Sequence, residues 1–215
     1  MEWKLRGLLS AMETSGVDVL VITRPPNVTY LTGFPRSSGA VLLLARGAGV
    51  TMLVPALDYW RAADAVGPSG VSVVPYATYQ LPDIEIRIVE PPHVYVPRLL
   101  REMGVTRVAT DSPYERVSLE IEKALGAKVA DFSDVLADLR AIKRQEEVEL
   151  MRRALAITEK AVEKAVAELR PGVSERVVAA TVEYYMKQGG ADGLAFESIV
   201  AFGENSSYPH ATVTG

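Results

Sequence analysis

The stretch AVLLLARGAGVTMLVP, Ala40 to Pro55, sets two apolar β-type runs on either side of Gly47-Ala48-Gly49. A parallel crossover needs a dozen or more residues, so runs linked this briefly must pair as an antiparallel hairpin. The rest of the N-terminal part alternates helical periods with short apolar runs. DVLVIT (Asp18 to Thr23), VSVVPY (Val71 to Tyr76) and RVATD (Arg107 to Asp111) read as strands; Leu5, Leu8, Leu9 and Met12 mark a helix before them, and Val117, Ile121 and Leu125 mark one after. The expectation for residues 1–131 is an α/β domain whose sheet is mixed, with at least five strands. The Pro-rich stretch from Pro82 to Pro97 reads as a surface loop that precedes the helix leading to Arg107.

Near Asp131 the pattern changes. QEEVELMRRALAITEKAVEKAVAEL carries Val148, Met151, Leu155, Val162, Val166 and Leu169 along one face of a long amphipathic helix. Pro171-Gly172 breaks it, Ser174 caps a second helix, and Gly189-Gly190 ends that one. Two strand-like runs follow, ESIVAF (Glu197 to Phe202) and ATVTG (Ala211 to Gly215). Two helices and two such runs show apolar faces with little to cover them, so residues 132–215 are expected to be the incomplete start of an α+β domain.

The balance of charge narrows the function. A net charge of -4 and no basic stripe argue against nucleic acid as a partner. No apolar run approaches a membrane span, and the N-terminus MEWKLRGLLSAMETSG is too polar for a signal peptide, so the expectation is a cytoplasmic protein. With no cysteine there is no disulfide frame, thiolate nucleophile or zinc ribbon, and any metal would need histidine and carboxylate ligands. Neither a G-x-S-x-G elbow nor a Walker loop occurs. Asn27-Val28-Thr29 is a chance sequon in a chain without a secretory signal.

Only two histidines are present. His93 follows Pro91-Pro92 without an acidic partner at metal-ligand spacing and reads as a surface residue. His210 lies between a polar turn and a strand-like run, where a neutral imidazole can donate or accept a hydrogen bond near pH 7, which makes it the candidate catalytic residue. The nearby carboxylates Asp192, Glu197 and Glu204 share no helix or strand face with it, so they do not complete a metal site. The charges from Arg144 to Arg153, with Glu149 four residues ahead of Arg153, read as a solvated helix face.

LRAIKRQEEVELMRRAL and LRPGVSERVVAATVEYYMKQGGADGLAFESIVAFGENSSYPHA together resemble the Xaa-Pro peptidases, the proline-specific branch of the pita-bread metallopeptidases that also includes creatinase. The resemblance rests on Arg140 and Lys143, on Pro171-Gly172 with Ser174-Glu175, on Gly190 and Phe196, and on Gly203 through Asn205 to His210. Upstream, NVTYLTGF (Asn27 to Phe34) resembles the loop at the start of that family's N-terminal domain. The resemblance implies a creatinase-type N-terminal α/β domain followed by the start of a pita-bread fold. It implies hydrolysis of the bond before proline in a peptide substrate by two divalent ions, Mn, Co or Zn, and a homodimer. It also implies that the histidine matching His210 hydrogen-bonds substrate beside the metals, and that the family's five metal ligands all lie beyond that segment. The expectation is therefore a chain that stops inside a catalytic domain, binds no metal and is inactive alone. A non-catalytic binding or assembly module, and a creatinase-like hydrolase, are the alternative readings.

Overall fold

The computed structural model describes residues 2–215; Met1, where the expected first helix begins, lies outside them. The chain divides into two compact units, the first ending at Ile142 and the second spanning Lys143–Gly215, whereas the sequence pattern set the boundary at 131.

The first unit runs α1 (Glu2–Thr14), β1 (Val19–Ile22), α2 (Pro25–Thr32), β2 (Val41–Ala45), β3 (Gly49–Pro55), α3 (Tyr59–Val66), β4 (Ser72–Tyr76), α4 (Pro92–Glu102), β5 (Val108–Thr110), α5 (Arg116–Leu125), β6 (Ala130–Asp131) and α6 (Ser133–Ala141). Its strands form one six-stranded sheet in the order β4-β3-β2-β1-β5-β6. The hairpin is there, β2 pairing antiparallel with β3 and Val41 opposite Leu53. β1 pairs antiparallel with β2 and parallel with β5, so the sheet is mixed as expected.

Side chains alternate across each strand. Leu20, Ile22, Leu42 and Leu44 face one side, where α1, α2, α3 and α6 cover them with Leu8, Met12, Leu31, Val66 and Leu136. Val19, Val21, Val41 and Leu43 face the other, against Val96 and Leu100 of α4 and Ile121 of α5. Burial on both faces explains why these strands read as continuous apolar runs instead of alternating ones. α6 belongs to the first unit because Phe132 and Leu136 sit in that first core.

Two expectations fail here. The stretch expected to be a loop at Asn27 to Phe34 is largely helical: Pro25 and Pro26 start α2, where a missing N–H costs nothing. Gly33 closes it in the left-handed conformation at φ 77°. The Pro82–Pro97 connection is also shorter than expected, because α4 begins at Pro92 and carries Pro97 in its interior. The hydrogen bond lost at Pro97 is the one to the His93 carbonyl, in the first turn, and Pro97 is buried beside Val96 and Leu100.

The second unit pairs α7 (Gln145–Ala167) with α8 (Glu175–Gln188) and ends with a 3₁₀ turn over Gly203–Ser207. The covered seam of α7 is Ile157, Ala161 and Ala165, one residue per turn, with both alanines fully buried. Small side chains let two helix backbones approach closely. The larger stripe expected from the sequence stays open, with Met151, Leu155, Val162, Val166 and Leu169 all exposed. The runs ESIVAF and ATVTG, expected to be strands, enter no ladder. One backbone donor from each run, Phe202 N–H and Thr214 N–H, goes to the same side chain, and that destination defines the site.

Candidate functional site

α8 starts in the manner its sequence dictates. Ser174 is the N-cap and its hydroxyl accepts from the Val177 N–H at 3.4 Å. The next residue, Glu175, is 4% exposed and turns away from its own helix. Its Oε1 accepts from the Phe202 N–H at 2.6 Å, and its Oε2 accepts from Asn205 Nδ2 at 2.8 Å. Thr214 donates twice to the same Oε2, from its N–H at 2.8 Å and its hydroxyl at 2.7 Å. Four donors hold the Glu175 carboxyl down to about 2, the Phe202 N–H contributing most, ahead of the Thr214 hydroxyl, the Asn205 amide and the Thr214 N–H. Thr214 is gripped from a third side, since its carbonyl accepts from the Arg176 N–H at 3.1 Å.

Phe202 and Thr214 are the two ends of a loop, and His210 is in it. Asn205 ties the loop across its middle by donating also to the Thr212 carbonyl at 3.2 Å. Turn bonds from Tyr208 N–H to the Asn205 carbonyl and from Ala211 N–H to the Tyr208 carbonyl shape the part around His210. His210 itself is exposed, and its side chain makes no hydrogen bond or ion pair with any described residue. That leaves the imidazole available to an incoming group.

A concavity of this unit lies elsewhere. A cleft of about 630 Å³ between α7 and the 190–198 segment is lined by Ile157, Met186, Leu194 and Phe196, with Arg153 and Asp192 as its charged groups. The volume suits a small ligand, but His210 does not line it. Among the described residues no three His, Asp or Glu side chains are grouped so as to hold a metal ion. The one buried carboxylate near His210, Glu175, already has four donors on it. The residues present therefore do not fit a two-metal centre. His93 lies in the first turn of α4, in a shallow groove beside Arg116 and Glu120 of α5, and belongs to the first unit.

The first unit has its own buried carboxylate. Asp111, just past β5, accepts from the Thr23 N–H at 2.9 Å, the Arg24 N–H at 3.2 Å and Asn27 Nδ2 at 2.9 Å, and so holds the chain where it enters α2. Asn27 Oδ1 in turn accepts from Arg140 Nη1 at 2.8 Å. Burial pushes the Asp111 carboxyl above the ordinary range, against the opposing pull of the Thr23, Asn27 and Arg24 donors. Asp111 does not stand out in the sequence, and Glu175 enters it only as part of the resemblance, with no sign of its partners. Glu175 follows a cap and looks like any acidic residue in a first turn, and Asp111 closes a strand run.

Residues 4–142 match the Creatinase/Prolidase N-terminal domain, and residues 149–215 match Metallopeptidase family M24. The Xaa-Pro dipeptidase of Pyrococcus furiosus is 31% identical over 214 residues, a match covering 100% of this chain and 56% of that protein. The Xaa-Pro dipeptidase of Pyrococcus horikoshii is 29% identical with the same coverage of each. Among solved structures, the prolidase from Pyrococcus horikoshii OT3 superposes with a TM-score of 0.78 at 27% identity, covering 98% of this chain and 56% of that one. The chain thus spans little more than half the length of the curated relatives it matches.

Proposed function

The chain belongs to the creatinase/prolidase family of Xaa-Pro peptidases, and on that premise we propose that it forms the N-terminal portion of an enzyme hydrolysing the bond before proline. The observation that supports this most is a match to prolidases that runs through both units without a break and includes the His210 loop. The fold agrees with it: the mixed sheet matches the creatinase/prolidase N-terminal domain, and α7 and α8 match the start of the pita-bread domain.

In this reading His210 is the substrate-facing group. A proline nitrogen in a peptide carries no hydrogen, so a pocket for it cannot depend on that donor and must take hold of the neighbouring carbonyl. An exposed imidazole with no internal partner can donate to that oxygen as charge develops on it. The divalent ions implied by the metallopeptidase match would supply the nucleophilic water. The described residues hold no group fitted to those ions. The same reading takes the protein as a cytoplasmic homodimer; among the described residues no helix is long and apolar enough to cross a membrane.

The test is hydrolysis. Expressed from its gene to the natural stop codon and supplied with Mn²⁺, the protein should cleave Leu-Pro and leave Leu-Ala intact. His210→Ala should lower kcat by about 10²–10³, the usual cost of losing one hydrogen-bond donor to a developing oxyanion. Equal cleavage of both dipeptides, or of neither, overturns the proposal.

A further inference from the structure

We propose that Glu175 is the positioning residue for His210: it clasps both ends of the loop that carries the imidazole and so fixes where that ring is presented. An acidic residue in the first turn of a helix ordinarily serves that helix, through its dipole or its free N–H groups. Glu175 does not. Every donor on it comes from the loop, two from Thr214 and one each from Phe202 and Asn205, while the cap of α8 is left to Ser174. Oε2 takes three of these donors and Oε1 one, so both oxygens of this buried carboxylate are engaged by the loop.

The loop has little else to order it. From 203 to 214 only Ala211 is buried, so packing cannot hold the segment in one shape. A short stretch with so little buried surface stays ordered only when polar contacts close it, as in compact surface loops whose ends meet. Here the ends meet on one carboxylate. The low protonation range of Glu175 agrees with this, because the charged form is the one its four donors favour.

The assignment rests on the reading of His210 as the substrate-facing group, but its test needs no turnover. With ¹⁵N-labelled histidine, the chain gives two imidazole signatures, and His93 in the first unit serves as the internal control. In Glu175→Gln the new amide sets its NH₂ against N–H donors. The His210 imidazole signals should then move while those of His93 stay, and backbone order parameters over 203–213 should fall from about 0.85 to below about 0.6. Amide signals of α7 should be unchanged. Thr214→Val, which removes only one of the four donors, should move His210 in the same direction by less. If Glu175→Gln melts α8 as well, Thr214→Val decides on its own. An unchanged His210 signal and an ordered loop in the deciding variant would overturn the proposal. A fixed imidazole in a protein with no Xaa-Pro hydrolysis would overturn the functional reading and leave the clasp standing.

Discussion

Asp111→Ala is the substitution that most directly probes how the first unit is held together. It removes the acceptor for Asn27 Nδ2, which is buried, and for the N–H groups of Thr23 and Arg24, which lie nearer to solvent. A buried donor left without a partner costs about 1–3 kcal/mol, and the two backbone groups with access to water about 0.5–1 kcal/mol each, so the total should be about 2–5 kcal/mol. Asp111→Asn keeps one oxygen in place and drops the charge, and should cost only about 1–2 kcal/mol. Both tryptophans, Trp3 and Trp60, lie in the first unit, so urea unfolding followed by tryptophan fluorescence reports that unit without interference from the second. An unfolding free energy within about 0.5 kcal/mol of the wild type for Asp111→Ala would refute the idea that this carboxylate anchors the entry to α2 against the end of β5. The pH dependence gives a second check. Because burial raises the folded-state value of Asp111, its linkage contribution is complete below the unfolded value and is lost as the pH rises through the raised one. The penalty of Asp111→Asn should therefore be larger near pH 3.5 than at pH 7; a constant penalty would show that the carboxyl is not shifted upward.

Three further outcomes are expected. Gly33→Ala should destabilise the first unit by about 1 kcal/mol through backbone strain alone, because φ is 77° and an added Cβ would meet nothing within 4 Å; a larger loss in the same urea titration would mean a clash. After incubation with Mn²⁺, Co²⁺ or Zn²⁺ and removal of the excess, elemental analysis of residues 1–215 should find no stoichiometric metal, since the described residues hold no ligand cluster; about two ions per chain would mean that the ligands lie within it. The Phe202 and Thr214 amide resonances should stay constant from pH 7 to about 4 and move only as Glu175 protonates near about 2, the clasp being intact above the ordinary glutamate range and lost as the pH falls through the depressed value; movement starting near pH 4.5 would show an unclasped carboxyl.

What the sequence made legible depends on how far away each segment finds its partner. The β2–β3 hairpin closes within a few residues at Gly47-Ala48-Gly49, so the run lengths and the turn state it outright, and with it the mixed character of the sheet. α2 was hidden for the opposite reason. Its proline start and its Gly33 stop are local signals, but the group that holds the chain at its entry, through the N–H groups of Thr23 and Arg24, is Asp111, just past β5 and far along the chain. The runs around Phe202 and Thr214 have the composition of strands and form none among the described residues; a strand is defined by the ladder that receives its donors, and the Phe202 and Thr214 N–H groups go to a side chain instead. The long stripe on α7 had the same defect: period and apolarity mark a face that can be buried, while the face that is covered is set by Ile157, Ala161 and Ala165, where α8 can come close. His210 was marked as a candidate by its place between a polar turn and a strand-like run, which His93 lacks, but its role beside substrate came only through the resemblance. The roles of Asp111 and Glu175 were both missed, although Glu175 helped to carry the resemblance, and the two share one physical role. Each is a carboxylate whose immediate neighbours explain it adequately, as a strand end or a first-turn acid, and each is spent instead on backbone donors brought to it by the fold. A carboxylate of that kind is informative only once the chain is folded, because what sets it apart is burial with several N–H groups converging on it, and neither property has a sequence period.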